Sequence, residues 1–259
     1  MNALNSLLNL HDHPINDATY THRCRLQLAD AGALVLRGFL TPAALEIIKK
    51  EGEENQHLAF YTQSQHNVYL QKSDEAYPND HPRNRQVVSS KGCITDEEIP
   101  TDSPLRTLYD SATFKTFLCG VLDEQQLYPY ADRLSSINLH YAHTGQELGW
   151  HFDNSSFAIT LLIQKPEAGG AFEYVSHLRN AEEGEMNFDG VGKVLNGEQQ
   201  VQQLEIEPGD LVLFRGRNAL HRVTPTEGDI TRMLVVLAYN AQPDIALSES
   251  ARMTFYGRL

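Results

Sequence analysis

The rhythm of hydrophobic and polar positions changes about halfway along the chain. In the first part, "GALVLRGFL" reads as a strand from its β-branched and aromatic content. It runs into "TPAALEIIKKEGEE", where Thr41 sits as an N-cap and Pro42 at the first helical position, so a helix starts there. Residues 55–100 show no clear period, and "YPNDHPRNR" has the Pro, Asn and Asp content of a loop. "SPLRTLYDSATFKTFLCGVL" predicts a second helix, with Leu105, Leu108, Phe114, Phe117 and Leu118 sharing one apolar face.

Beyond about residue 134 the pattern shortens to strands separated by turns. "SSINLHYA", "FAITLLIQ", "GAFEYVS", "QQLEIE", "GDLVLFRG" and "RMLVVLAYN" follow one another at intervals that suit an antiparallel sandwich or barrel. Gly169 and Gly170 predict a hairpin turn. Between Leu178 and Gln200 the acidic segment "RNAEEGEMNFDGVGKVLNGE" interrupts the strands. It reads as a solvated insertion, with a lid over a site as the sharper alternative. The expected fold is α+β and mainly β: a single domain over 1–259, with a helical part (1–133) packed on a barrel core (134–259).

Composition narrows the classes. The 259 residues are 41% hydrophobic and 21% charged, enough to bury a sizeable core. No apolar run approaches the roughly 20 residues that span a bilayer. "MNALNSLLNLHDHPIND" lacks the basic and small-residue features of a signal peptide. Cys24, Cys93 and Cys119 are odd in number and far apart, which fits buried thiols in a reducing compartment, so a cytoplasmic location is expected. The net charge of −13 disfavours nucleic acid and anionic membrane as partners, and an anionic substrate would need locally placed arginines. A small-molecule partner is expected, with a homodimer left open.

The candidate chemistry begins at "LGWHFDNSSFAITLLIQ", where His151 and Asp153 stand two residues apart. Alone, a His-x-Asp is weak, since short patterns recur by chance. On a strand, however, residues i and i+2 point to one face and can share an ion. His221, after the strand "GDLVLFRG", is the candidate third ligand. Two imidazoles and one carboxylate on one face of a metal leave positions open, as in non-haem Fe(II) oxygenases. Such enzymes commonly use 2-oxoglutarate, whose distal carboxylate suits a buried arginine, and Arg232 opens the last strong strand.

Three stretches, "GWHFDNSSFAITLLIQKPEAGGAFEYV", "PGDLVLFRGRNALHRVTPTEGD" and "TRMLVVLAYN", resemble the Fe(II)/2-oxoglutarate-dependent dioxygenases with a double-stranded β-helix, or jelly-roll, core. The branch they resemble includes hydroxylases of free amino acids and the related lysine halogenases. The resemblance implies His151, Asp153 and His221 as iron ligands and Arg232 as the 2-oxoglutarate anchor. It implies Fe(II), 2-oxoglutarate and O2 as the reaction's requirements, with succinate and CO2 released. The "RxS" pattern of some relatives is absent, because Met233 and Leu234 follow Arg232. Thr160 or Tyr141 is then the candidate hydroxyl partner, against ordinary core packing. Halogenases of the branch replace the carboxylate ligand with a small residue; Asp153 implies oxygen transfer instead.

Candidates for the substrate are Arg83 and Arg85 of "HPRNR", either carboxylate contacts or solvated loop charges. Asn138 and His140 share a face of "INLHYAH" and line the pocket if that face looks inward. Trp150 either walls the iron or packs in the core, and Glu173 is either an ammonium partner or solvated. Arg222 has the opposite facing from His221 and reads as a surface or structural charge. The leading expectation is hydroxylation of a small polar molecule, most simply a free amino acid or derivative. The alternatives are a hydroxylase of a peptide or protein residue and a non-catalytic cupin-like metal sensor.

Overall fold

The computed structural model describes residues 4–259. Eleven strands build one strongly curled sheet, and helices cover one side of it. The larger wing carries β1 (Ala33–Leu36), β10 (Leu211–Phe214), β6 (Ala158–Gln164), β13 (Arg232–Leu237), β4 (Ile137–Ala142) and β3 (Gln86–Ile94), in that spatial order. The order continues from β3 into a smaller wing of β5 (Leu148–His151), β11 (Leu220–Val223), β8 (Phe172–Val175) and β9 (Gln202–Leu204). An added strand, β2 (Phe60–Asn67), pairs with β3 along its whole length, and a ribbon of β7 (Ala168–Gly169) and β12 (Thr226–Glu227) stands apart. All pairings are antiparallel, as the jelly-roll expectation requires.

The two faces of the larger wing differ in kind. Ile159, Leu161 and Ile163 of β6, Met233, Val235 and Leu237 of β13, and Leu139 and Tyr141 of β4 join one apolar core. That core is closed by α2 (Ala18–Ala31), α3 (Pro42–Asn55), α4 (Pro104–Asp110) and α5 (Ala112–Leu122), through Leu28, Ile48, Leu108 and Phe117 among others. Because strand side chains alternate, Thr160, Leu162, Arg232, Leu234, Val236, Asn138 and His140 take the opposite face, inside the curl. Two short helices lie elsewhere: α1 (Leu4–Leu7) near the start and α6 (Phe188–Leu195) in the insertion. A C-terminal helix, α7 (Glu249–Tyr256), lies against β2 and β3.

Several expectations hold at residue level. Thr41 caps α3 by accepting from the Ala44 amide, with Pro42 at the first turn, and the five apolar residues named for the second helix are all buried. That helix is in fact two. Ser111 ends α4 and caps α5 through Phe114, so the chain turns between them.

The segment 55–100 also departs from the sequence reading. It holds β2 and β3, which pair with each other; edge strand β2 does not stand out in the sequence because it is largely exposed and "FYTQSQHN" shows little hydrophobic alternation. The residues before 134 therefore supply three strands to the sheet as well as helices.

The acidic insertion is more than a solvated loop. Val191 and Val194 of α6 are buried against Val68, Tyr69, Trp150, Phe152 and Leu220. They form a second, smaller core on the outer face of the smaller wing. No helix among the described residues is long and apolar enough to cross a membrane.

Candidate metal centre

The two histidines meet because their strands pair. His221 of β11 lies opposite His151 of β5, a register that puts both rings on one face, with centroids 4.2 Å apart. Strand β5 ends at His151, so Asp153 reaches the same spot from the loop that follows rather than from the strand itself. Its Oδ1 lies 3.7 Å from His151 Nε2 and 3.5 Å from His221 Nε2. The three ligand atoms all fall within 4.8 Å of one another. Donors so spaced suit an ion held at about 2.0–2.2 Å by imidazole and carboxylate.

The surroundings prepare these atoms for a cation. His151 Nδ1 is 2.8 Å from the Gly149 carbonyl and His221 Nδ1 is 3.0 Å from the Ala219 carbonyl. Each carbonyl accepts from a protonated Nδ1, which leaves each Nε2 lone pair facing the centre. Burial, followed by the nearness of His221, pushes the His151 pKa down to about 3, so the ring is neutral. Burial alone would raise Asp153, but His221, His151 and Arg179 outweigh it and hold the carboxyl below its ordinary value. Neutral imidazole beside carboxylate is the protonation state that a divalent metal requires.

Backbone also shapes the site. The Asp153 amide donates to the Gly216 carbonyl at 3.1 Å, and a Cβ on Gly216 would stand 1.8 Å from Asp153 Oδ2. Only glycine lets the carboxylate lie against that turn. Behind the histidines, Phe172 and Phe214 pack on His221 with centroids 5.5 and 4.8 Å away.

Arg232 lies on the inside face of the larger wing, 7% exposed. Its guanidinium makes no hydrogen bond or ion pair with any described residue, and burial lowers its pKa to about 10. Gly170 packs directly against its stem, where a Cβ would meet Arg232 Cδ at 2.9 Å. Thr160 and His140 share the Arg232 face: His140 lies opposite Leu234 and Thr160 opposite Val236, two and four residues along β13 from Arg232. Tyr141 does not. It lies opposite Met233, on the helix side, and its hydroxyl donates to the Gly52 carbonyl at 2.7 Å.

The other sequence candidates separate by facing. Trp150 points away from the histidines into the second core, under the Arg222 guanidinium at 4.8 Å. Glu173 shares that outer face and is bound to Arg222 at 2.7 Å, so of the two expectations for Arg222 the structural charge is the one that fits. Asn138 donates to the Leu134 and Ile137 carbonyls and accepts from Tyr256, which uses both ends of its amide. Arg85 holds the C-terminal end of α6 through the Leu195 carbonyl and Asn196. Arg83 differs from all of these. One of its nitrogens donates to Gln71 and Lys72, while Nη1 is buried without any partner.

Two residues with no role in the sequence reading join the site. Arg179 stacks over Phe152 at 4.0 Å and, like Arg83, over Tyr69, and its charge helps hold Asp153 ionised. Lys91, on β3, approaches His140 inside the curl. The signal for Lys91 was the alternation Ser89, Lys91, Cys93, invisible while its strand went unrecognised. Nothing in the sequence around Arg179 marked it.

A family model described as halogenase D matches residues 16–255. The chain belongs to the halogenase D family. No curated protein matches it. Among solved structures, this halogenase D family member is similar in fold to the carbocyclase SnoK from nogalamycin biosynthesis, a non-haem, α-ketoglutarate-dependent enzyme. The TM-score is 0.59 at 12% identity, covering 92% of each chain. HygX from Streptomyces hygroscopicus, solved with nickel, 2-oxoglutarate and hygromycin B, matches at TM-score 0.55 and 16% identity, over 89% of this chain and 94% of that one. A Pseudomonas putida prolyl-4-hydroxylase matches at 0.51 and 13%, over 83% and 96%. The fold is therefore that of the 2-oxoglutarate Fe(II) oxygenases.

Proposed function

We propose that this chain is an Fe(II)- and 2-oxoglutarate-dependent dioxygenase that inserts oxygen into a C–H bond of a small polar substrate, a free amino acid or derivative. One observation carries the reading: a complete His151–Asp153–His221 ligand set shares the curl with a buried Arg232 that has no counter-ion. A metal-holding sensor has no use for that unpaired cation, whereas a dicarboxylate co-substrate needs it.

The residues divide the work by position. His151, Asp153 and His221 hold the metal, which when bound activates O2 at the expense of 2-oxoglutarate, giving succinate and CO2. Arg232 receives the distal carboxylate of 2-oxoglutarate, with the Thr160 hydroxyl on the same face. The unpartnered Nη1 of Arg83 receives the substrate's carboxylate, and Arg179 adds a second positive charge beside the same Tyr69 ring. Arg85, Asn138, Trp150 and Glu173 support the walls, since each is engaged away from the ligands. The aromatic packing behind His221 keeps that side of the centre dry.

Asp153 directs the outcome within a family described as halogenase. Its carboxylate occupies the position that a small residue would leave to a halide, so hydroxylation follows rather than halogenation. The test is succinate formation by Fe(II)-loaded protein given O2, 2-oxoglutarate and a panel of free amino acids, with chloride present and His151→Ala as the blank. Product mass should rise by one oxygen. A chlorinated product overturns the hydroxylase reading. Succinate with every panel member unchanged overturns the amino-acid assignment.

A further inference from the structure

Lys91 and Arg232 enter the curl from the two strands that flank β4. Arg232 lies opposite Ala142, and Gly92 lies opposite Tyr141, a register that brings Lys91 level with Ala142. By that register Lys91 and Arg232 project on one face from either side of Ala142, which keeps partial exposure, and the charges of both reach His140. His140 occupies the neighbouring rung on the same face. The Lys91 ammonium lies 3.2 Å from its ring nitrogens. Burial, then the charges of Lys91 and Arg232, push His140 well below the usual histidine value, so the ring is neutral and accepts from the ammonium.

Neither cation is neutralised by the protein. No described acid pairs with Lys91 or Arg232, and burial pushes both pKa values down. The Cys93 thiol, two residues along on the Lys91 face, is pushed up to about 12 by burial and stays protonated. The Phe255 ring of α7, 5.5 Å from the ammonium, offers only its π face. Buried cations without an acid are costly, and a shared anion between them removes that cost.

We propose that Lys91 and Arg232 together clasp the distal carboxylate of 2-oxoglutarate, with His140 orienting the Lys91 ammonium. The inference rests on the reading of Arg232 as the co-substrate anchor. It supplies the second strong partner that the missing "RxS" serine would otherwise provide. Arg232 presents a planar fork and Lys91 a point charge, so the pair holds one carboxylate from two sides. The other carboxylate that could reach this rung is the primary substrate's own.

The test is calorimetric titration of the anaerobic, Mn(II)-loaded full chain with 2-oxoglutarate and with 2-oxobutyrate, which has the same 2-oxo acid head but no distal carboxylate. Lys91→Met is expected to weaken 2-oxoglutarate at least about tenfold while leaving 2-oxobutyrate unchanged, and Lys91→Arg to recover most of the loss. Circular dichroism and the thermal midpoint establish that both variants are folded. Unaltered 2-oxoglutarate binding by Lys91→Met overturns the proposal, and so does equal weakening of the two acids. A raised KM for the amino-acid substrate with 2-oxoglutarate affinity intact assigns Lys91 to the substrate and also overturns it. Arg232→Met separates the layers. If it loses 2-oxoglutarate and Lys91→Met does not, only the Lys91 assignment falls; if neither does, the anchor reading itself falls.

Discussion

The helix-packed face and the inside face of the larger wing are made by alternate residues of the same strands, yet they are built to opposite standards. On β13, Met233, Val235 and Leu237 are at most 1% exposed, and each packs among helices. One residue away, Leu234 and Val236 keep partial exposure and Arg232 holds an unpaired charge. On β4, Tyr141 meets a backbone carbonyl from α3, while His140 meets an ammonium. The contrast teaches where the stability comes from. The sealed face stabilises the sheet strongly enough that the other face can keep unsatisfied cations and open surface for ligands.

Truncation on the sealed face should separate the two most sharply. Leu161→Ala removes a side chain with no exposure from the main core and should lower stability by about 2–5 kcal/mol. Thr160→Ala, its neighbour on the inside face, should cost less than about 1 kcal/mol. Denaturant melts of the two variants check this; equal losses would mean that both faces carry the fold. The next effect reverses the pattern. Gly216→Ala drives a methyl into Asp153 Oδ2 and should weaken Fe(II) or Mn(II) binding by about 100-fold, the upper range for disturbed ligand support. Metal titration alongside a thermal melt reads it, and tight metal binding with a normal melt would show that Asp153 can relocate.

These two faces were unequally legible in the sequence. The ligand triad and Arg232 stood out because each lies in or beside a strongly apolar strand whose period announces its facing. Tyr141 was assigned to Arg232 although the same period places it opposite Met233, on the other face; the pairing of β4 with β13 was needed to see that. Trp150 lies beside His151 in sequence, and Glu173 pairs with the neighbour of His221, yet both sit on the far face from the two histidines in space. Strand β2 was missed because an exposed edge strand has little need of alternation, and the internal β3 because Ser89, Ser90, Lys91 and Gly92 break its apolar positions; with β3 went Lys91. The insertion looked solvated because its acidic residues outnumber the few apolar positions, Val191 and Val194 among them, that α6 buries. Arg179 depends on a stacking that no local pattern encodes.

Smaller effects sharpen the same comparison. Tyr141→Phe leaves the Gly52 carbonyl without its donor inside the sealed core and should cost about 1–2 kcal/mol, with 2-oxoglutarate affinity unchanged. A loss of co-substrate binding instead would return Tyr141 to the site. The smallest effect is a pH dependence at the C-terminal end of β3, where the chain's last turn is fastened. Burial tends to raise Glu98, but its carboxylate accepts from the Thr95 amide at 2.7 Å and the Thr95 hydroxyl at 2.6 Å, and it pairs with Arg258. The net result is a pKa below the usual glutamate value. A depressed folded-state value means that the contribution is fully present above the unfolded pKa of about 4.3 and is lost as pH falls through the folded one. Glu98 should therefore stabilise the protein by no more than about 1 kcal/mol at neutral pH, and that increment should fade on acidification below about pH 4. Comparing the parent with Glu98→Gln by denaturant unfolding across that window isolates it: the gap between them should narrow as pH falls. A gap that stays constant would place the stabilisation in the neutral hydrogen bonds to Thr95, which the amide retains, rather than in the charge that Arg258 faces.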